Sequence, residues 1–96
     1  MIEIRETAVF SAWLESLRDA QARVRVQARI LRLRHGNAGD VKPVGAGVSE
    51  MRIDYGPGYR VYYVKRGALL LILLAGGAKP TQDKDIKTAL KLARML

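Results

Sequence analysis

The sequence predicts an α+β domain, and three observations carry that prediction. Apolar residues recur at helical spacing on both sides of residue 19 and again after residue 81. Between residues 50 and 74 lie three stretches that alternate polar with apolar residues or run wholly apolar, as strands do. Glycine and proline mark the breaks between them: Gly56-Pro57-Gly58, then Lys65-Arg66-Gly67, then Gly76-Gly77.

Taken in order, residues 2–6 predict a short N-terminal strand, with Thr7 as the cap of a first helix. Phe10, Trp13, Leu14 and Leu17 then give one apolar helical face, and Phe10 and Trp13 are expected in the core. The pattern breaks at Ser16–Asp19, where Asp19 is placed to cap a second helix over 20–34; two helices joined so tightly predict a helical hairpin. The second helix carries two apolar stripes, Ala20, Val24, Ala28 and Leu31 on one side and Val26, Ile30 and Leu33 nearly opposite. Such a helix is held between two partners. Arg25, Arg29 and Arg32 line one flank, Arg23 and Arg34 the other; the alternation Arg23-Val24-Arg25-Val26 also admits a strand.

Residues 36–47, GNAGDVKPVGAG, predict a loop. Next comes a three-stranded antiparallel meander: Glu50–Tyr55 with one buried and one charged face, Tyr59–Val64, and Leu69–Leu74, apolar on both faces and therefore in the interior of the sheet. Gly76-Gly77 is expected to end that last strand. Thr81 is placed to cap a C-terminal helix whose first turn carries Asp83 and Asp85, where the helix dipole favours carboxylates, and whose stripe is Ile86, Ala89, Leu90 and Ala93.

The 96 residues make a single domain, 1–96, with room for one modest core. Its charge is unusual: 17 Lys and Arg stand against 9 Asp and Glu, a net +8. That favours a polyanionic partner, nucleic acid or an acidic protein, over a surface that is merely solvated. No cysteine is present, which removes disulfides and thiolate metal sites and suits a reducing cytoplasm. Glu3, Arg5 and Glu6 do not read as a signal peptide, and the longest apolar run, Ala68–Ala75, is too short to cross a bilayer. No metal-ligand spacing, phosphate loop or nucleophile elbow appears, so neither a metal nor a small-molecule cofactor is expected.

The residues that can carry chemistry are cationic. Arg52 lies on the polar face of the first meander strand and Arg60 opens the next, so the two can lie side by side. Lys79 comes after the glycine pair, and Lys42 in the glycine-rich segment can swing over the same region. Cations crowded on one face repel unless an anion sits among them, and a phosphate backbone meets that need. RNA cleavage by its own 2′-hydroxyl requires a base, charge stabilisation at the phosphate and an acid for the leaving 5′-oxygen. Arginine forks suit the phosphate. Gln82, Asp83 and Asp85 can reach the site, although Asp83 and Asp85 also fit a plain dipole role. For Arg52 and Arg60 the competing account is cross-strand pairing with Glu50 or Asp54. His35, the single histidine, stands at a helix end, where a dipole-stabilising role competes with base catalysis. Among Tyr55, Tyr59, Tyr62 and Tyr63, Tyr59 and Tyr62 are the candidates to stack on substrate bases, while at least two of the four belong to the core.

Two segments together, GNAGDVKPVGAGVSEMRIDYGPGYRVYY over 36–63 and LLAGGAKPTQDKDIKTA over 73–89, resemble the phage-related killer-protein branch of the RelE/ParE/HigB toxin superfamily. The resemblance covers nearly the whole chain. It implies a RelE-like fold and a toxin encoded beside an antitoxin, in many members a metal-independent mRNA endoribonuclease working in the ribosomal A site. It implies further that Arg52 and Arg60 handle phosphate, that Lys79 belongs to the same site, and that Lys42 is the lysine of the glycine-rich segment. The last helix departs from RelE itself, which has a tyrosine where this chain offers Asp83, Asp85 and Ile86; a site poor in strong bases leans on the ribosome to position its substrate.

The expectation is therefore a cytoplasmic type II toxin that cleaves mRNA on the ribosome, with a cognate antitoxin docking at Arg25, Arg29 and Arg32. A ParE-type gyrase inhibitor without nuclease activity shares the fold. A non-enzymatic nucleic-acid-binding module is the third reading; it predicts steep salt dependence and no turnover.

Overall fold

The first two caps that the sequence offers, Thr7 and Asp19, are caps the molecule uses. In the computed structural model, which describes residues 1–96, β1 (Glu3–Glu6) leads through Thr7 into α1 (Ala8–Ser16), and the Thr7 hydroxyl accepts from the Phe10 amide at 3.0 Å. Asp19 opens α2 (Ala20–Arg34), its carboxylate accepting from the amides of Gln21 at 2.9 Å and Ala22 at 3.3 Å. The segment 20–34 is thus a helix and not a strand. After it come β2 (Val41–Gly45), β3 (Val48–Ile53), β4 (Tyr59–Arg66) and β5 (Leu70–Ala78), then a 3-10 turn over Lys79–Thr81 and α3 (Gln82–Met95). No helix is long and apolar enough to cross a membrane.

The result is an α+β fold of three helices and a five-stranded mixed sheet in the order β1-β5-β4-β3-β2. β1 pairs parallel to β5 and every other pair is antiparallel. Two expectations are corrected here. The segment 36–47 is not all loop, because Val41–Gly45 forms an edge strand against β3, and the meander therefore has four strands rather than three. An edge position tolerates Pro43, whose missing N–H costs no ladder bond there, and the left-handed backbone at Gly45, Ala46 and Gly47 makes the tight return into β3. Nor does Gly76-Gly77 end β5, which runs through both glycines to Ala78.

Two cores lie on the two faces of the sheet. On one, Phe10 and Leu17 with Ala22, Val26 and Leu33 of α2 close over Met51, Ile53, Val61, Tyr63, Leu71 and Leu73. α1 rests mainly on β5 and α2 on β3, so each helix of the predicted hairpin packs on the sheet rather than chiefly on the other. On the other face, Ala89 and Ala93 of α3 cover Val48, Tyr62, Val64, Leu74 and Ala75. A bulge opposite Tyr62 and Tyr63 turns both Leu74 and Ala75 toward α3. At the glycine pair both layers press close on the strand. A Cβ at Gly76 would overlap the Trp13 ring of α1, and one at Gly77 would overlap the Asp85 carboxylate of α3.

One of the two stripes of α2, Val26 with Ile30 and Leu33, faces the sheet. The other stays open: Val24 is 61% and Leu31 55% exposed.

Candidate functional site

The site forms where the α3 face of the sheet turns from apolar to polar. Strand alternation puts Glu50 and Arg52 of β3 on that face together with Tyr62 and Arg60 of β4, because Glu50 is the register partner of Tyr62 and Arg52 that of Arg60. Lys42 of β2 pairs with Glu50, and Gly77 of β5 with Arg60. The side-by-side placement expected of Arg52 and Arg60 is what the ladder delivers. Both line an open cleft with Asp40, Ile53, Asp54, Gly58 and Tyr59.

Lys79 is brought next to Arg60 by a shared acceptor. The Gly58 carbonyl receives the Arg60 Nη1 at 2.7 Å and the Lys79 backbone amide at 3.0 Å. Gly58 has φ of 81°, a conformation that favours glycine, and a Cβ there would sit 3.3 Å from Arg60 Nη1. The Lys79 side chain is exposed and opens on a neighbouring cleft lined by Pro80, Thr81, Gln82, Asp83 and Lys84.

The crowded cations are balanced from inside, which revises the expectation that only an external anion makes them tolerable. Arg52 bonds Asp40 at 2.8 Å, with its side chain 43% and that of Asp40 57% exposed. Asp40, and not Asp54, is the partner of Arg52. Arg60, only 11% exposed, lies 3.7 Å from the Glu50 carboxylate, and Lys42 lies 3.7 Å from its other oxygen. Lys79 makes no ion pair. Three buried side-chain atoms lack a hydrogen-bond partner within the protein, and all three belong to this cluster: Glu50 Oε1, Arg52 Nε and Arg60 Nε.

Glu50 is the residue that the sequence reading undervalued. It is fully buried, and its Oε2 accepts from the Tyr62 hydroxyl at 3.0 Å and from Gln82 Nε2 at 2.9 Å. Its spacing of two from Arg52 was the available signal, since it places both on one strand face. Burial, then the hydrogen bond to Glu50, push the Tyr62 phenol well above its ordinary range, so it stays a protonated donor.

Several expected roles change accordingly. Tyr62 cannot stack on a base, because its ring is buried under α3. Tyr59 is half-buried and lines the cleft, but its ring meets Trp13 edge-on at 6.3 Å between centroids. Gln82 serves Glu50 rather than presenting a free group to substrate. Asp83 is exposed beside Lys79 and Lys84 and touches neither arginine. Asp85 accepts from the Thr81 hydroxyl at 2.6 Å, and Thr81 makes no side-chain bond to the amides of α3, so it stands at the cap position without capping. His35 is exposed at the end of α2 and lines none of the clefts. Tyr55 donates to Asp19 at 2.8 Å, and Tyr63 is core.

The α2 arginines divide in the same way. Arg29 is a staple, donating to the carbonyls of Arg52 and, at 3.0 Å, Ala38. Arg25 lies over the Tyr55 ring, 4.6 Å from its centroid. Arg32 is exposed, and with Arg25, Ala28 and Arg29 it lines a second cleft that shares Ile53 and Asp54 with the first.

No protein-family model matches the chain. It is similar to a protein of Haemophilus influenzae described as uncharacterized, with 50% identity over 95 residues that cover 99% of this chain and 96% of that one.

Proposed function

Since the chain belongs to one family with that Haemophilus influenzae protein, we propose a function on the site's own geometry: a RelE-like toxin of a type II toxin–antitoxin system, cytoplasmic, that cleaves mRNA on the ribosome. The observation carrying this reading is the Arg52–Arg60 rung, two arginines side by side lining an open cleft. Two such forks match the non-bridging oxygens of a phosphodiester, and an arginine at low exposure keeps more of its electrostatic strength than one in bulk water.

In the proposed reaction the 2′-hydroxyl of the message gives its proton to a water molecule as its oxygen attacks the adjacent phosphorus, and the bond to the 5′-oxygen breaks. The products are a 2′,3′-cyclic phosphate and a 5′-hydroxyl. Arg52 and Arg60 take the charge that develops on the phosphate, and Lys79, whose backbone amide shares the Gly58 carbonyl with Arg60 and whose exposed side chain reaches over from the adjoining cleft, gives the leaving oxygen its proton. The ribosome holds the message in line. In a translating extract, message is cleaved by the wild type and the rate falls on the order of a hundredfold with Arg60→Ala. Intact message with both proteins refutes the reading.

The pairing of Arg52 with Asp40 and of Arg60 with Glu50 favours one competitor, a gyrase-binding toxin that cleaves nothing, because it leaves these cations accounted for inside the fold. Whether expression stalls translation or replication first separates the two. In either case the open stripe of Val24 and Leu31, flanked by Arg25 and Arg32, suits an antitoxin segment that is apolar on one side and acidic at its edge.

A further inference from the structure

We infer that Glu50 is the positioning residue of this site: its buried carboxylate, fixed by Tyr62 and Gln82, holds the Arg60 guanidinium and the Lys42 ammonium in the places where a phosphate meets them. This rests on the reading of the cleft as a phosphodiester site and names the group that organises it.

A fully buried carboxylate is costly, and an ion pair buried for stability alone is often matched or bettered by apolar packing. The same sheet face supplies such packing a few rungs away, where Val48 and Val64 are register partners in the α3 core. The charge at Glu50 therefore has another use, and the placement of the unsatisfied atoms indicates which. Glu50 Oε1, Arg52 Nε and Arg60 Nε lie on two neighbouring rungs, and no other buried side-chain atom of the molecule lacks a partner. All three are sealed from solvent, so no ligand meets them directly; Glu50 Oε1 and Arg60 Nε are instead held by charge, facing Lys42 and the Glu50 carboxylate across 3.7 Å, at the one place where the fold leaves buried side-chain atoms without hydrogen bonds.

The geometry also separates holding from neutralising. Arg60 is pinned on two sides, by the Gly58 oxygen at 2.7 Å and by Glu50 at 3.7 Å. That arrangement uses one of its five N–H donors in a hydrogen bond and restrains the rotamers of a long side chain before substrate arrives. Glu50 itself accepts two hydrogen bonds on Oε2 and is sealed from solvent, so it orients the cations and does not meet the reacting hydroxyl.

Glu50→Gln tests this, because the amide oxygen still accepts from Tyr62 and Gln82 while the charge facing Arg60 and Lys42 is gone. In the full chain, the Arg60 Nε–Hε resonance, identified by its loss in Arg60→Lys, is expected to be sharp and slow to exchange with solvent in the wild type. It should broaden or exchange much faster in Glu50→Gln while backbone amide signals elsewhere stay in place. Tyr62→Phe, which keeps the charge and removes one support, should give an intermediate exchange rate and serves if Glu50→Gln fails to fold. An Arg60 signal unchanged in whichever variant folds overturns the inference. Affinity for a single-stranded oligoribonucleotide should hold or rise in Glu50→Gln, since a negative charge has been removed, while cleavage in the translating extract falls on the order of a hundredfold. Cleavage at the wild-type rate would also overturn it. If the wild type cleaves nothing, the nuclease reading falls alone, and the Arg60 resonance still decides whether Glu50 holds the guanidinium.

Discussion

The two faces of the sheet are built from alternate residues of the same strands and are put to different uses. Under α1 and α2 the strands supply Met51, Ile53, Val61, Leu71 and Leu73, an apolar layer broken only by Tyr63. Under α3 the same strands supply Val48, Val64 and Leu74 at one end and Glu50, Arg52, Arg60 and Tyr62 at the other. The first face is otherwise apolar throughout, and the second gives over one end to a charged cluster. Packing and the charged cluster are thereby separated residue by residue along β3 and β4, since neighbouring positions point to opposite faces.

The glycine pair puts that separation to its hardest test. Gly76→Ala drives a methyl into the Trp13 ring, which is wedged between α1 and the sheet, and should cost about 3 kcal/mol of unfolding free energy, the upper part of the overpacking range. Gly77→Ala meets the end of the Asp85 side chain instead. That carboxylate can swing away at the loss of its Thr81 bond, so the expected cost is nearer 1 kcal/mol. Urea unfolding of the two variants checks the order. Equal costs would mean that the two faces are equally rigid at this point.

The same pair shows where sequence reading stops. Helix starts were legible because Thr7 and Asp19 carry their own side-chain acceptors, a local signal. The Arg52–Arg60 rung was legible because alternation and a short turn fix register. Gly76-Gly77 read as a strand end because the reason for it, an aromatic ring and a carboxylate arriving from helices far away in the chain, has no local trace. β2 was hidden by the glycines that turn its end, and its alternation, Val41 and Val44 about Lys42 and Pro43, is too short to stand out. Tyr62 looked available because tyrosine suits either environment; only the bulge at Leu74 and the seat of α3 decide that it is buried.

Within the charged cluster, the two arginines differ as the two faces do, one held inside and one at the rim. Arg60 is held by buried Glu50 and Arg52 by exposed Asp40. An exposed pair contributes at most about 1 kcal/mol, so a phosphate can take the place of Asp40 readily. Asp40→Asn should leave the urea midpoint nearly unchanged and strengthen binding of a single-stranded oligoribonucleotide several-fold at low salt, with the gain fading as salt rises. Weaker binding in Asp40→Asn would show that Asp40 orients Arg52 as Glu50 does Arg60, and would erase the distinction between rim and interior.

The smallest expected effect lies at the junction of the two faces, where Tyr55 leaves the end of β3 and its hydroxyl bonds the Asp19 cap of α2 at 2.8 Å. That bond, partly opposed by burial and helped by the amides of Ala22 and Gln21, holds the Asp19 carboxyl below its ordinary 3.8. The same bond raises the Tyr55 phenol above its ordinary 10.0. A carboxyl whose pKa is lowered by folding stabilises above its unfolded value and loses that contribution as pH falls through the folded one. A phenol whose pKa is raised by folding stabilises below its unfolded value and loses the contribution as pH climbs through the folded one. The stabilisation is therefore confined between acid and alkaline limits. Tyr55→Phe should lower the thermal midpoint modestly near neutrality, and the gap to the wild type should close toward both limits. A gap that is the same at every pH would show that the bond to Asp19 is not its source, since the ring that carries Arg25 at 4.6 Å is kept in the variant. Because Arg25 lines the cleft that adjoins Arg52 and Arg60 through Ile53 and Asp54, a loosened Tyr55 would also unsettle the arginine flank proposed for the antitoxin, although no atom of the charged cluster had been changed.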